Sequence, residues 1–96
     1  MINLKPKHLQ IIKDIFTYYL PKAEIRVFGS RLTENYQTYS DLDLAVVASE
    51  KLTRKTKAHI KYALEESDLP FRIDLLDWHT LSDNFKKIIE KKYHVL

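Results

Sequence analysis

The sequence predicts a single α+β domain in which a small mixed sheet is flanked by helices. Three observations support this class. Apolar residues recur at helical spacing in three parts of the chain, three short segments are rich in β-branched, aliphatic or aromatic residues, and the elements follow the order α-β-β-α-β-α. The chain has 96 residues, which is enough for one small domain, and we assign residues 1–96 to it.

A helix is predicted between Pro6 and Pro21, because proline suits the first turn of a helix and cannot continue one. Its buried face is marked by apolar residues at helical spacing, namely Leu9, Ile12, Phe16 and Tyr19. A short strand follows from Glu24 to Phe28, and Gly29 ends it. Residues 32–40 are mostly polar and are predicted to form a loop.

The rest of the chain is predicted to contain two strands and two helices. Leu42 to Val47 forms a strand whose later half is apolar on both faces, which is typical of a central position in a sheet. A helix from Thr53 to Ser67 and a strand from Phe71 to Leu76 come next. Thr80 or Ser82 caps the last helix, whose apolar residues are Leu81, Phe85, Ile88 and Ile89.

Composition limits the kinds of partner and compartment. The net charge of +3 suits an anionic ligand such as a nucleoside triphosphate, but it is too small for a basic stripe that binds nucleic acid. The chain has no cysteine, which excludes disulfides, thiolate catalysis and cysteine-based zinc sites. The longest apolar run, Leu44 to Ala48, is far too short to cross a bilayer. We therefore expect a cytoplasmic protein that binds neither membrane nor nucleic acid directly.

Asp41 and Asp43 stand at the start of the second strand with one residue between them. Side chains two residues apart in a strand point to the same face, so the two carboxylates project together. They repel each other unless a cation lies between them, and Mg²⁺ binds a few carboxylate oxygens together with substrate phosphates. The pair is therefore a candidate magnesium site for a triphosphate. The alternative is that Asp41 caps a turn and Asp43 is solvated at a strand edge.

Asp74 is a third candidate ligand, because it lies inside an apolar strand, where a carboxylate is costly to desolvate unless it is paired or binds a metal. If its strand lies beside the strand of Asp41 and Asp43, three carboxylates could hold two Mg²⁺ ions about 3.5–4 Å apart, the arrangement used for displacement at phosphorus. Asp74 could also accept the proton of an attacking hydroxyl. A salt bridge with Arg72 is the alternative for Asp74, and Asp77 at the strand end is a weaker candidate for the third position.

Gly29, Ser30 and Arg31 form a candidate phosphate-binding turn directly after the first strand. Gly29 is the only glycine of the chain, and a glycine lets backbone N–H groups approach phosphate oxygens without a Cβ in the way. Ser30 can donate its hydroxyl to the same oxygens, and Arg31 can pair with phosphate through its planar guanidinium. An isolated Gly-Ser dipeptide is usually an ordinary turn, so this assignment depends on the carboxylates that follow.

Together these motifs resemble the signature of the DNA polymerase β nucleotidyltransferase superfamily, and the small size resembles its minimal nucleotidyltransferase (MNT) branch. The motifs are Gly29-Ser30-Arg31, Ser40-Asp41-Leu42-Asp43-Leu44 and Arg72-Ile73-Asp74-Leu75. The resemblance implies a polymerase-β-like fold in which Asp41, Asp43 and Asp74 bind Mg²⁺ and the Gly-Ser turn holds the triphosphate. It also implies transfer of a nucleoside monophosphate from a triphosphate such as ATP to an acceptor hydroxyl, which Asp74 helps to activate, with release of pyrophosphate.

The resemblance further implies a partner. Small members of this superfamily are often encoded beside a HEPN-domain protein, a candidate RNase toxin, and act as its antitoxin by adenylylating one of its tyrosines from ATP. The expected function is therefore that of a protein adenylyltransferase antitoxin in a hetero-oligomer with a HEPN toxin. Two alternatives stay open: an antitoxin that neutralises its partner by binding, with weak or lost chemistry, and a nuclease or phosphoryl-transfer enzyme that uses the same carboxylates. The chain departs from many relatives in having no second glycine in Leu32-Thr33-Glu34-Asn35-Tyr36, so the geometry of that loop stays open.

Overall fold

Three α-helices and four β-strands occur in residues 4–32 and 40–96, the part of the chain that the structure, a computed structural model, describes. In chain order they are α1 (Pro6–Tyr19), β1 (Glu24–Phe28), β2 (Leu42–Val47), α2 (Arg54–Glu66), β3 (Ile73–Asp77), α3 (Asp83–Lys91) and β4 (His94–Val95). Short 3-10 turns lie at Gly29–Leu32 and Trp78–Thr80. The predicted order is confirmed as far as α3, and β4 is an additional strand that was not predicted. None of the helices in these ranges is both long and apolar enough to cross a membrane.

The helix boundaries follow from local chemistry. Pro6 occupies the first turn of α1, where its missing N–H costs nothing. The Thr53 hydroxyl accepts the N–H of Thr56 at 3.1 Å and so caps α2. Of the two predicted caps of α3, Ser82 is the observed one, because its hydroxyl accepts the N–H of Phe85 at 3.2 Å.

The strand β2 lies inside the sheet, whose strand order is β3-β2-β1-β4. β2 runs antiparallel to β1 and parallel to β3, and β4 pairs antiparallel with β1. The connection from β2 to β3 passes through α2, as a parallel pair requires a crossover. The central position predicted for this strand is confirmed, since Leu44, Ala45 and Val46 are each 0% exposed.

One face of the sheet is covered by α1 and α2. Alternate strand residues point to that face, as the two-residue period of a strand requires. The core they form with the two helices contains Ile12, Phe16, Ile25, Val27, Leu42, Leu44, Val46, Ile60, Leu64 and Leu75. Packing of these side chains fixes which residues of each strand remain on the opposite face.

The opposite face is only partly covered. There α3 lies against β1, and the ring of Phe85 meets that of Phe28 edge to face with 5.9 Å between their centroids. The Arg26 guanidinium lies 4.7 Å from the ring centroid of Trp78 and 4.5 Å from that of Tyr93, so Trp78 packs within the domain. The part of this face that belongs to β3 stays open to solvent.

Asp77 ties the end of β3 to the chain around it, and we expect its removal to destabilise the fold. It is 3% exposed, and its carboxylate accepts the backbone N–H groups of Leu52 at 2.8 Å and His79 at 3.0 Å. Asp77→Ala leaves both donors without this acceptor, so the free energy of unfolding in urea should fall by about 1–3 kcal/mol. Asp77→Asn, which keeps one acceptor oxygen and the shape, should lose less. Unchanged stability of the alanine variant would contradict this account.

Candidate active site

Asp43 of β2 and Asp74 of β3 lie directly opposite each other in the parallel ladder. Paired residues of adjacent strands point to the same face, so both carboxylates project from the face that α1 and α2 leave open. The charge of Asp74 acts on Asp43. The condition set for Asp74, that its strand lies beside the strand of Asp43, is therefore met. Asp41 precedes β2 and is exposed, as is Asp74, whereas Asp43 is half-buried.

Burial and neighbouring negative charge raise the pKa of the Asp43 carboxyl from the ordinary value of 3.8 to about 6. Burial is the largest cause, because desolvation disfavours the charged form. The negative charges of Asp74 and Asp41 contribute to the same rise. A bound cation would offset this concentration of negative charge.

Gly29 lies against the carboxylate of Asp43. Its φ of +84° is a conformation that residues with a Cβ rarely adopt. A Cβ at this position would clash with Oδ2 of Asp43 and would lie 3.2 Å from its Cγ. Glycine is therefore required both by the backbone angle and by the close approach. The predicted phosphate turn and the predicted metal carboxylate are neighbours, and Ser30 follows in the same turn, Gly29–Leu32.

Arg31 connects the three segments that carry the candidate site. It is 3% exposed, and its Nε and Nη2 donate to the carbonyl of Ser40 at 3.2 and 2.9 Å. Its Cζ lies 4.5 Å from the centroid of the Phe71 ring, a cation–π contact. Ser40 directly precedes Asp41, and Phe71 lies three residues before Asp74. One buried guanidinium thus joins the turn, the start of β2 and the start of β3, while its predicted contact with phosphate stays a prediction.

A cavity of about 560 Å³ opens beside the carboxylate pair. Asp43 and Asp74 line it together with Phe28 and Phe85, and it continues along β3 to Lys61 of α2. Its volume lies within the range of about 300–1,000 Å³ that is usual for small-molecule sites. The carboxylates therefore stand at the wall of a space large enough for a nucleotide.

The other predicted site residues are placed less closely. In residues 4–32 and 40–96, no three acidic or histidine side chains converge closely enough to bind one metal ion. Asp41 acts on Asp43 through its charge. Asp77, the weaker candidate, lies on the buried side of β3 and is occupied by backbone N–H groups. Most of the predicted loop, residues 33–39, lies outside the described residues, and so does most of the segment that lacks a second glycine.

Phe71 is a contributor to the site that the sequence did not reveal. It was predicted only as the first residue of the third strand, yet it carries the Arg31 contact and meets His8 edge on at 5.7 Å between ring centroids. His8 is 8% exposed and packs within the domain. The sequence signal for this contact is the arginine beside the predicted phosphate turn, because such an arginine can bind a structural partner as well as phosphate.

The sequence of residues 10–96 matches the family described as Polymerase beta, Nucleotidyltransferase. Over 95 residues the chain is also 42% identical to a Haemophilus influenzae protein named Probable protein adenylyltransferase MntA, a match that covers 99% of this chain and 83% of that protein. The chain therefore belongs to the polymerase β nucleotidyltransferase family. The resemblance drawn from the three motifs is confirmed.

Solved structures share the fold. A chain of a toxin–antitoxin complex with AMP-PNP gives a TM-score of 0.75 at 24% identity and covers 90% of this chain and 69% of that chain. A chain of the complex between the tri-AMPylated Shewanella oneidensis HEPN toxin and its MNT antitoxin gives 0.73 at 24% identity, with 96% and 71% covered. At these identities the likeness establishes the fold alone. It confirms the predicted α+β class, a polymerase-β-like fold with a small mixed sheet flanked by helices.

Without a divalent cation, Asp43→Asn is expected to stabilise the protein at neutral pH. The folded-state pKa of about 6 exceeds the ordinary 3.8, so stability falls as the pH rises between these values and stays lower above them. Asparagine avoids that loss because it carries no charge. In EDTA the variant should have the higher Tm at about pH 7.5, and the difference should nearly vanish at about pH 4. A lower Tm of the variant at neutral pH would contradict the raised pKa.

Arg31→Lys tests whether Arg31 positions the site. Lysine keeps the charge but lacks the planar group that bonds the Ser40 carbonyl twice and stacks on Phe71. We expect kcat for nucleotidyl transfer to fall by about tenfold to a hundredfold, with a smaller change in KM for the triphosphate. Arg31→Gln is the comparison. If Arg31 positions the site, neither lysine nor glutamine restores kcat. If Arg31 binds phosphate, the KM for the triphosphate rises in Arg31→Gln, and lysine brings it part of the way back.

Proposed function

We propose that this protein is a Mg²⁺-dependent protein adenylyltransferase. It moves AMP from ATP to a tyrosine hydroxyl of a HEPN-domain toxin and thereby acts as the antitoxin of a cytoplasmic pair. The observation that carries the proposal is the Asp43–Asp74 pair in register beside the Gly29 turn. Membership of the nucleotidyltransferase family and the 42% identity to a protein named as a probable protein adenylyltransferase support it.

The donor set fits magnesium. Asp41, Asp43 and Asp74 would hold the metal, because carboxylate oxygens are its preferred protein ligands and because a cation would offset the negative charge that Asp74 and Asp41 exert on Asp43. Bound there, one or two Mg²⁺ ions would neutralise the triphosphate and make its α-phosphorus more electrophilic. The backbone N–H groups of the turn at Gly29 and Ser30 would bind phosphate oxygens.

The proposed reaction transfers AMP to the acceptor hydroxyl and releases pyrophosphate. The acceptor hydroxyl oxygen forms a bond to the α-phosphorus of ATP, the bond from that phosphorus to the bridging oxygen breaks, and pyrophosphate leaves with the electron pair. The hydroxyl proton passes to Asp74, which is exposed and stands next to the half-buried Asp43, and then to solvent.

A HEPN-domain protein is the proposed partner, in a hetero-oligomer. Two solved complexes with the same fold support this choice, one a toxin–antitoxin pair with AMP-PNP and one an AMPylated HEPN toxin with its MNT antitoxin. The AMP-PNP in the first of them supports ATP as the donor. The partner would supply the acceptor hydroxyl at the open part of the site beside β3.

One observation favours a second candidate function, neutralisation by binding alone. In the described ranges no three potential ligands converge on one point, so the metal site is incomplete without movement of Asp41 or the arrival of substrate phosphates. If the site cannot complete itself, complex formation with the toxin would be the protective act. Measurement of label transfer from ATP separates the two candidate functions.

Label transfer is the decisive measurement. The protein would be incubated with Mg²⁺, a host-cell lysate or the product of the neighbouring gene, and ATP labelled at either the α or the γ phosphate. We expect a protein to be labelled only from α-labelled ATP. Asp41→Asn, Asp43→Asn and Asp74→Asn should each reduce the label by more than about a hundredfold, because even loss of a residue that only supports a metal ligand costs about 10–100-fold.

Asp14→Asn provides the matched control, since Asp14 is an exposed carboxylate on α1, which covers the other face of the sheet. It should label the acceptor at the natural rate. Label that appears from γ-labelled ATP would identify phosphoryl transfer instead. If neither ATP gives label while a stable complex is recovered, and Asp43→Asn still neutralises the toxin, the binding antitoxin is the correct reading.

A further inference from the structure

Within residues 4–32 and 40–96, no strand pairs with the outer edge of β3. β3 is the last strand of the sheet on one side, and the Leu42 N–H donates to the Arg72 carbonyl at 2.9 Å at the start of its pairing with β2. Backbone groups of a parallel strand point alternately to its two sides, so the N–H and carbonyl of Ile73 and of Leu75 point away from β2. No residue in the described ranges forms a backbone hydrogen bond with that side.

The cavity beside the carboxylates follows this edge. Its wall includes every residue from Phe71 to Leu76, with Lys61 and Glu65 of α2 on one side of the strand and Phe28 and Asp43 on the other. It therefore runs along β3 and reaches both faces of the sheet at its rim. A ligand that fills its length must be extended and must offer hydrogen-bonding groups to the strand.

Asp43 and Asp74 form a row that runs across the strands toward this edge. Asp43 and Asp74 are paired residues on neighbouring strands and share one face. A further strand beside β3 would lie about 4.8 Å away, and its residue opposite Asp74 would project from the same face. A hydroxyl-bearing side chain on that residue would therefore stand on the same side of the sheet as the two carboxylates.

We propose that the acceptor polypeptide binds as an added β-strand along the free edge of β3, with its acceptor tyrosine opposite Asp74. The inference rests on the function proposed above and adds how the protein substrate is held. Main-chain bonds to Ile73 and Leu75 give affinity, and alternate side chains enter the apolar wall of the groove at Leu69 and Phe71.

The charge of the strand favours a foreign segment over a second copy of this chain. Asp74 is exposed on β3, and pairing of two copies through this edge would bring two acidic strands together. Like charges opposite each other across a strand pair are destabilising. An acceptor tyrosine has no such charge, and its hydroxyl can donate a hydrogen bond to a carboxylate.

The test uses a pool of capped peptides of about nine residues, a length that spans a typical strand, with a central tyrosine and random flanks. A second pool has the same composition with N-methyl groups on alternate backbone nitrogens, which cannot donate hydrogen bonds. The natural protein is incubated with Mg²⁺, α-labelled ATP and either pool. We expect label on the first pool and at least about tenfold less on the methylated pool, as loss of two or more strand hydrogen bonds predicts.

Two variants test the same edge from the protein side. Ile73→Pro removes the outward N–H and fills the edge, a substitution that edge strands accept, while Ile73→Ala removes the same side chain and keeps the N–H. Label on the first pool should be about twofold to tenfold lower for the proline variant than for the alanine variant, as loss of one hydrogen bond predicts. The Tm shift of each variant with AMP-PNP and Mg²⁺ checks that both bind nucleotide.

Equal labelling of the two pools, or equal labelling by the two variants, would overturn strand addition. So would the absence of label on both pools while the natural protein labels a lysate protein, a result that leaves the adenylyltransferase function standing. Failure of the proposed function itself looks different, because then neither peptide nor protein is labelled from α-labelled ATP and no labelled AMP is released into solution.

Discussion

The pairing register of β2 with β3 determines whether the candidate site exists. A shift by one residue would send one carboxylate to the buried face and leave the other alone, because side chains alternate along each strand. The register is held from the other side of the sheet, where Leu42, Leu44 and Leu75 are buried among the helices. The residues that build the core therefore also place Asp43 opposite Asp74, and a defect in this part of the core would disturb the site as well as the stability.

The turn after β1 depends on the same register. β1 brings Gly29 to Asp43 because Phe28 and Asp43 are paired in the antiparallel ladder. The absence of a Cβ allows the backbone to touch the carboxylate, and Arg31 then fastens the turn to the segments that precede β2 and β3. Burial of a guanidinium is costly unless its N–H groups have hydrogen-bond acceptors. The N–H groups of Arg31 bind the Ser40 carbonyl, and its planar face stacks on Phe71.

Much of this arrangement could be predicted from the sequence, and the exceptions have physical reasons. The helices, three strands and the i, i+2 carboxylates follow from local periodicity. Asp74 and Asp77 are three residues apart and therefore point to opposite faces of the sheet. Because Leu75 is buried and shares a face with Asp77, Asp77 lies on the buried face and Asp74 on the exposed one. The contact of Arg31 with Phe71 joins residues forty positions apart and has no local signature. β4 is two residues long, and its formation depends on the edge of β1.

Destabilising features are concentrated in one place. Among the described residues, every buried side-chain nitrogen or oxygen has a hydrogen-bond partner, and Asp77 shows how completely such a group is satisfied away from the site. Three features of the described residues differ from this pattern: a half-buried carboxylate beside two others, a glycine with positive φ in contact with it, and a strand edge that no other described strand pairs with. A fold shaped by stability alone would remove each of them with one substitution or one more strand. Their occurrence together beside one cavity is typical of a functional site, since local violations of good packing and pairing gather where binding restores them.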